Sequence, residues 1–429
     1  MTIVSASAWS GLVGKGPWRR GHPFGVLDIG SSKICCYIAR PRPGQGVHLL
    51  GRGYHLADGL KAGEVVDAEP AESSVLAAVH EAEQRSGETL REIVLAIGGG
   101  RPQSSYVRVD CPLHGRAVSD ADLQLLLDRA RRSVSSAERE VLHAVPIEIT
   151  VDGGRPLKDA RGLTGQRLEL VAHLVTAAGP ALRNLLACLE RCHIEVKGVV
   201  ASSYAAGIAC IAQDELERGC LVLDFGGGTT GLAHFVNGRL TMVGQVPYGG
   251  DHITGDLAFG LSTSRQHAER IKNLYGSTQF RSCDDSIRIE HPRLGDHAEL
   301  PTGEAPRTRI TEIVRARAEE ILTLVRRRLD EHGDLLGSRP PRSIVVTGGG
   351  SQLEGIEELV HELFRLPTRC GRPAAWPDGG NHEPCCASAV GAVGLVLGDD
   401  GGLGWRDQVE VSVLSHRLAR LSQWFRENF

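Results

Sequence analysis

The sequence predicts an α/β protein built from two related lobes, with a small inserted α+β subdomain and a C-terminal amphipathic helix. Three observations support this prediction. A strand and loop pattern that begins at residue 24 returns near residue 220, the segment 104–177 has a different pattern, and an amphipathic stripe ends the sequence. With 429 residues, the chain is also longer than one hydrophobic core usually supports.

Composition excludes several classes of protein. The 52 acidic and 48 basic residues give a net charge of -4, which argues against a protein that mainly binds nucleic-acid phosphates. The sequence lacks an apolar run of the roughly 18 residues that a membrane-spanning helix needs, and residues 1–23 do not resemble a signal peptide. Eleven cysteines without a CxxC pair, among them Cys35-Cys36 and Cys385-Cys386, favour reduced, mostly buried thiols in a cytoplasmic protein.

The first lobe is predicted from residue 24 onward. Residues 1–23 show no periodicity and are predicted to be a loose arm. Strands are predicted at 24–30, 34–39, 47–50 and 93–97, and a helix over 72–85 carries Val75, Ala78, Val79 and Ala82 on one face.

An inserted subdomain is predicted over 104–177. Its pattern consists of a helix at 120–133 and β-like runs at 141–149 and 168–175.

The second lobe repeats the opening of the first. The strand at 220–226 ends in Asp-apolar-Gly, as the strand at 24–30 does, and the two aspartates lie 196 positions apart (224 minus 28). Strands at 232–236 and 240–243 complete the repeat, which predicts an internal duplication. Residues 277–308 are predicted to be irregular, 311–332 to be a long helix, and 343–347 to be a strand.

The loop after the first strand is predicted to bind phosphate. Backbone N–H groups of a glycine turn can point at a phosphate oxygen, serine hydroxyls add donors, and lysine adds positive charge. Aspartate suits Mg²⁺, through water. The residues concerned are Asp28, Gly30, Ser31, Ser32 and Lys33. An ordinary hairpin turn is the alternative.

Two further glycine loops strengthen this prediction. In the second loop Asp224 could share the metal ion or orient an attacking water, and it is followed by Gly226, Gly227, Gly228, Thr229 and Thr230. The third loop, Gly348, Gly349 and Gly350, lies between a strand and a helix that begins near Leu353, where backbone could lie against a nucleoside. Each loop alone could be structural, whereas the three in this order favour a nucleotide site.

These loops resemble those of the actin superfamily of ATPases, and from about residue 24 nearly the whole sequence resembles the FtsA family of bacterial cell-division proteins. Supporting stretches lie at 141–147, 162–165, 199–204, 246–250 and 388–391. The resemblance implies an actin-like two-lobe fold that binds ATP and Mg²⁺, polymerises, and tethers the FtsZ ring to the inner membrane at the division septum. Implied partners are the FtsZ C-terminal tail, further copies of the chain, later division proteins and an anionic membrane surface.

The resemblance also implies a domain organisation. The predicted parts are an arm (1–23), a first ATPase lobe (24–103, 178–215 and 385–397), the inserted subdomain (104–177), a second ATPase lobe (216–258 and 335–384), its outer subdomain (259–334), a linker (398–412) and a membrane-targeting helix (413–429).

Further functional residues follow from the same resemblance. The segments 201–212 and 387–397, rich in small residues, would be the two inter-lobe helices, and Glu269 with Lys272 would belong to the adenine-pocket helix. Without the family context, that pair would be taken for a solvated surface pair. The outer subdomain would receive the FtsZ tail, with basic residues Arg309, Arg315 and Arg317 available to an acidic peptide.

The end of the sequence predicts a membrane-interface helix on physical grounds. Leu414, Leu418, Leu421 and Phe425 are spaced four, three and four residues apart and so share one helical face. Basic and aromatic residues flank this face: Arg417, Arg420, Trp424, Arg426 and Phe429. Such a helix can lie in the interface of a bilayer, and docking onto the protein's own core is the alternative.

The same scaffold could also support two other functions. A sugar or carboxylate kinase needs a general base, usually an aspartate, but the segment 199–212 contains no acidic residue and offers Ser202, Ser203 and Tyr204. The same lack predicts at most a slow ATPase. An FtsA-like pilus-assembly ATPase would share the inserted subdomain but need not end in this helix.

Overall fold

The computed structural model describes residues 22–42, 46–134, 136–157, 159–294, 303–333, 339–373 and 383–397. Within them the chain forms two five-stranded sheets, a three-stranded sheet, two small two-stranded pairings and the helices that pack against them. Most of the predicted arm, the linker and the predicted membrane helix lie outside the described residues.

The first half of the chain builds one five-stranded sheet and the inserted unit. In chain order its elements are β1 (Phe24–Ile29), β2 (Lys33–Arg42), β3 (Gly46–Leu56), β4 (Leu60–Lys61), β5 (Glu64–Val65), α1 (Ala68–Ser86), β6 (Glu92–Ile97), β7 (Gln103–Pro112), α2 (Asp120–Val134), β8 (Arg139–Val151), β9 (Arg167–Ala178), α3 (Gly179–Arg191), β10 (Glu195–Ala201) and α4 (Ser202–Cys210). The five-stranded sheet has the order β10-β6-β1-β2-β3.

The second half builds the other five-stranded sheet and an outer group of helices. In chain order its elements are α5 (Gln213–Arg218), β11 (Cys220–Phe225), β12 (Thr230–Val236), β13 (Arg239–Val246), α6 (Gly250–Gly260), α7 (Arg265–Tyr275), β14 (Arg288–His291), β15 (Gly303–Pro306), α8 (Arg307–Gly333), β16 (Ser343–Thr347), α9 (Ile356–Phe364), β17 (Thr368–Cys370) and α10 (Ala387–Leu397). This sheet has the order β13-β12-β11-β16-β17.

The two sheets confirm the predicted duplication. In each, three consecutive strands form an antiparallel meander, and the first of these strands also pairs in parallel with a later one. Asp28 and Asp224 are both the fifth residue of a six-residue strand. Because the topologies match, the two aspartates and the turns that follow them occupy equivalent places in the two lobes.

The inserted unit is a separate layer of sheet and helix. Its sheet has the order β7-β9-β8, and α2 packs on it around a core that includes Leu126 and Leu170. Strand β7 was not predicted, because its first half is polar and only partly buried. The unit spans β7 to β9, close to the predicted bounds 104–177.

The prediction of an irregular segment over 277–308 is wrong in part. Strands β14 and β15 lie within it and pair antiparallel, and helix α8 begins at Arg307 rather than Thr311. Each strand has only four residues, and β14 alternates exposed Arg288 and Glu290 with buried Ile289 and His291. A pattern this short is too weak to distinguish a strand from a loop.

Helices α4 and α10 cross in direct backbone contact between the lobes. A Cβ atom added at Gly391 would lie 1.6 Å from the carbonyl oxygen of Ala205. The predicted need for small residues in these two helices is therefore confirmed, although α4 is shorter than the predicted segment 201–212. The crossing brings the first turns of both helices beside the turn that links β1 to β2.

Candidate functional site

A cavity of about 610 Å³ lies where the two lobes meet the outer helices. Its wall includes most of the residues that the sequence singles out for nucleotide binding. These are Asp28, Gly30, Ser31, Ser32, Lys33, Asp224, Gly226, Gly227, Thr229, Glu269, Lys272, Gly348, Gly349 and Gly350. Gly228 and Thr230 do not line it.

The turns after β1 and β11 have the same backbone geometry. The N–H of Gly30 donates to the carbonyl of Lys33 at 3.1 Å, and that of Gly226 donates to the carbonyl of Thr229 at 2.9 Å. A Cβ at either glycine would lie 2.9 Å from the accepting oxygen, so both turns require glycine. Tight glycine turns present backbone N–H groups, and such turns bind anions.

The two turns contact each other across the cavity. Ser32 Oγ donates to Asp251 Oδ1 at 3.1 Å, and a Cβ at Gly227 would lie 1.7 Å from that same Oγ. A Cβ at Gly228 would lie 2.4 Å from Ser31 Oγ, which itself accepts from the N–H of Gly63 at 2.9 Å. The consecutive glycines are therefore needed for the close approach of the lobes.

The two threonines of the second loop differ in placement. Thr229 Oγ1 donates to the carbonyl of Gly98 at 3.2 Å and lies on the cavity wall. Thr230 is fully buried, and its hydroxyl donates to the carbonyl of Tyr248 at 2.8 Å. The predicted contact of Thr230 with phosphate is not what this geometry offers, since its hydroxyl stabilises the chain's own backbone.

Asp28 and Asp224 are two wall carboxylates whose pKa values burial raises. Ser202 Oγ donates to Asp28 Oδ1 at 3.2 Å, and Ser388 Oγ donates to Oδ2. Desolvation raises the pKa of Asp28, while the Ser388 hydrogen bond and the charge of Lys33 lower it. Desolvation and then the negative charge of Asp28 raise the pKa of Asp224 to about 7, against an opposing effect of Lys33. A cation beside these carboxylates would stabilise both in their ionised form.

Glu269 and Lys272 form an ion pair at another part of the wall. Their charged atoms are 2.7 Å apart, and Lys272 Nζ also donates to Thr254 Oγ1 at 2.9 Å. The hydroxyl of Thr254 donates to Glu269. The pair thus holds α7 against α6 on the cavity wall, where Lys272 is mostly buried and Glu269 stays partly exposed.

The wall residues that were not predicted as nucleotide ligands include Ser202, Ser388 and Asp251. Ser202 and Ser388 support Asp28, and Asp251 accepts from Ser32. In the sequence, Ser202 stands only in a segment without acidic residues, and Ser388 only in a stretch that resembles the family. Their partners lie 174 to 360 positions away in the sequence, so local pattern gives no signal for these contacts.

The three arginines proposed for a partner peptide lie on α8 and are engaged within the chain. Arg315 pairs with Glu319 and Glu362, and Arg317 pairs with Asp256 and Glu320. Arg309 pairs with Glu312 at 3.0 Å while 53% of its side chain stays exposed. Of the three, Arg309 is the most accessible to a partner.

The membrane prediction concerns the end of the sequence. The residues predicted to contact the membrane, from Leu414 to Phe429, lie outside the described residues. None of the helices that the structure describes has the length and apolar character needed to cross a bilayer.

Comparison with known proteins gives family matches. A family model for "Cell division protein FtsA" matches residues 221–391, and one for "SHS2 domain inserted in FTSA" matches residues 99–176. The Cell division protein FtsA of Rhizobium meliloti (strain 1021) is 36% identical, with 96% of each chain covered. That of Pseudomonas aeruginosa is 31% identical, with 94% of this chain and 97% of the relative covered.

The fold is shared more widely than the sequence. A solved PilM-PilN type IV pilus biogenesis complex matches 87% of this chain and 98% of its own, with a TM-score of 0.60 and 17% identity. At that identity the match shows the fold alone. The predicted actin-like two-lobe fold with an inserted subdomain is confirmed.

Proposed function

The chain belongs to the FtsA family of bacterial cell-division proteins, and we propose that its two lobes bind Mg–ATP in the cleft between them. In this proposal ATP acts mainly as a conformational and polymerisation ligand. The polymer tethers the FtsZ ring to the cytoplasmic face of the inner membrane at the septum, where later division proteins join it. Relatives that match 96% of the chain favour this role over a pilus-assembly ATPase or a metabolic kinase.

The phosphates would lie between the two equivalent glycine turns. Backbone N–H groups of both turns and the ammonium of Lys33 supply positive character, and Ser31 and Ser32 supply hydroxyl groups. The loop Gly348–Gly350 and the Glu269–Lys272 pair line other parts of the wall, where the adenosine would lie. A volume of about 610 Å³ suits a ligand of this size, since small-molecule pockets span roughly 300–1,000 Å³.

The two carboxylates fit a hard divalent cation. Asp28 and Asp224 line one cavity, and desolvation raises the pKa of both, so each would gain from a nearby positive charge. Mg²⁺ prefers oxygen ligands and usually keeps several waters, and when bound it would neutralise phosphate charge. Ser202 and Ser388 hold Asp28 in place from the inter-lobe helices, which would couple the ion to the lobe interface.

Hydrolysis is expected to be slow. The segment 199–212 contains no carboxylate to position a water molecule, and the Ser202 hydroxyl already donates to Asp28. The neighbouring Ser203 hydroxyl donates to the carbonyl of Leu232 at 3.2 Å. Both serines are thus used in the chain's own contacts, which supports ATP as a ligand that sets conformation.

One observation carries the nucleotide proposal. Two equivalent glycine turns, each preceded by an aspartate at the end of a strand, line the same cavity. Calorimetric titration of the full chain with Mg–ATP should give saturable heat. Asp224→Ala should abolish binding, because it removes one of the two carboxylates at the phosphates. Asp214→Ala, a change of an exposed carboxylate on α5, is the matched control and should bind like the parent. Unchanged affinity in Asp224→Ala would exclude this cleft as the site.

The tether is supported by sequence and family. Leu414, Leu418, Leu421 and Phe425 form an apolar face, and each flanking arginine would add about 1 kcal/mol of attraction to anionic lipid at low salt. The FtsZ tail would bind the outer subdomain 259–334, where Arg309 keeps an exposed guanidinium for an acidic peptide.

A further inference from the structure

Two adjacent cysteines, one on the wall of the cleft and one directly behind it, have no part in the nucleotide proposal. The 3-10 turn Pro384–Cys386 precedes α10, and it places Cys385 on the cavity wall and Cys386 in the buried core. Their Sγ atoms are 3.8 Å apart. Cys385 Sγ also lies 3.4 Å from Glu383 Oε2, so two thiols and one carboxylate converge.

These distances match the edges of a metal tetrahedron. Zn–S bonds of about 2.3 Å and Zn–O bonds of about 2.1 Å place two sulfurs about 3.8 Å apart and a sulfur and an oxygen about 3.6 Å apart around one ion. The observed separations are 3.8 Å and 3.4 Å, and the three ligand atoms all lie within 4.8 Å of one another. The ligands therefore need little movement to surround an ion.

Charge around the cluster supports the same interpretation. Two thiolates and a carboxylate around a divalent ion leave one negative charge, and Lys33 Nζ lies 3.9 Å from Cys386 Sγ to offset it. We propose that Glu383, Cys385 and Cys386 bind one soft divalent metal ion, Zn²⁺, with the fourth position open to water from the cavity. Thiolate ligands select such an ion over Mg²⁺, which distinguishes this site from the aspartates.

The site would couple metal and nucleotide. Lys33 lies near both Cys386 and the proposed phosphate position. A negatively charged metal–thiolate group would therefore pair with the Lys33 ammonium and weaken its attraction to the phosphates of ATP. Mg–ATP should then bind more weakly to the Zn²⁺-loaded protein, and by linkage Zn²⁺ should bind more weakly in the presence of Mg–ATP. This coupling rests on the proposed function, whereas metal binding does not.

The test uses Co²⁺ as a spectroscopic probe on the full chain in a reductant free of thiols. One equivalent should give intense tetrahedral d–d bands and a thiolate-to-metal charge-transfer band, which Zn²⁺ then abolishes. Cys385→Ser and Cys386→Ser should each lose the tight site, and Glu383→Gln should weaken it at least tenfold. Cys283→Ser and Cys192→Ser, which remove thiols elsewhere, should keep it.

Other outcomes would overturn the proposal. These are an octahedral spectrum without the charge-transfer band in the parent protein, or a tetrahedral spectrum that keeps this band in the Cys385→Ser variant. Cys385 is only half-buried, so its replacement tests the site without disturbing the core. Asp224→Ala should retain the thiolate band, which separates failure of this site from failure of the nucleotide cleft.

Discussion

Asp224 is expected to make the ligand-free protein less stable as pH rises. The pKa of Asp224 is about 7 in the folded protein against an ordinary value of 3.8, so between pH 4 and 7 the folded state binds more protons than the unfolded state. Under that condition the free energy of unfolding falls with rising pH, until both states are ionised above pH 7. The side chain borders the cavity, and allowing for solvent we expect a loss of about 2 kcal/mol between pH 5 and 7.5.

The variant Asp224→Asn isolates this effect. Urea unfolding is measured at pH 5, 6, 7 and 7.5. The free energy of unfolding of the variant should rise relative to that of the parent as pH rises, because the asparagine amide carries no charge to desolvate. Groups that do not interact with Asp224 contribute equally to both proteins and cancel in the difference, whereas Asp28 is coupled to Asp224 and its titration forms part of the measured effect. A constant difference across the range would show that the Asp224 carboxyl does not titrate near pH 7.

The placement of single residues on the cavity wall could be predicted where the sequence signal was local. The aspartate and glycines of each loop could be predicted because a strand followed by Asp-apolar-Gly is a short pattern, and the duplication repeats it. The support of Asp28 by Ser388, across 360 positions, could not be predicted. For Thr230, residue type alone was misleading. A hydroxyl can bind phosphate, but this one donates to the backbone carbonyl of Tyr248.

Helix α10 should tolerate no side chain at its crossing with α4. Gly391→Ala would place a Cβ on the carbonyl oxygen of Ala205 and force the helices apart, at a cost of about 3 kcal/mol in unfolding free energy. Gly255→Ala in α6 is the matched control, because the nearest atom there is the mobile tip of Arg265 at 3.3 Å. Alanine should stabilise that helix by up to about 1 kcal/mol. Equal denaturation midpoints for the two variants would contradict the close crossing.

Whole helices and strands could be predicted where the apolar pattern extended over the whole element or where glycine residues marked its end. Helix α10 and strand β16 match their predicted bounds. Helix α3 was not predicted, because its start at Gly179-Pro180 resembles a turn signal, although proline also suits the first turn of a helix. Strand β10 follows α3 and was missed with it.

The inserted unit connects the two lobes in a way that the sequence does not predict. It belongs to the first lobe by chain order, yet Ser104 Oγ donates to the carbonyl of Val243 on β13 at 3.1 Å. His173 Nδ1 lies 2.9 Å from the carbonyl of Leu240 on the same strand. Any movement of the lobes about the cleft must therefore be accommodated at this contact, which could transmit nucleotide state to the surface of the insert.

The proposed tether requires the outer subdomain and the end of the sequence in one molecule, and the end can be removed by itself. With Mg–ATP, the full chain should carry FtsZ into the pellet with anionic vesicles, because the helix 413–429 would bind lipid while the outer subdomain binds the FtsZ tail. A chain ending at Gly398 should still bind Mg–ATP and FtsZ but leave both proteins in the supernatant. Neutral vesicles or high salt should reduce sedimentation, since the arginines act through screened charge. Equal sedimentation by the shortened chain would show that lipid binds elsewhere in the protein. If the full chain sediments but FtsZ stays in the supernatant, the chain binds lipid but does not tether FtsZ.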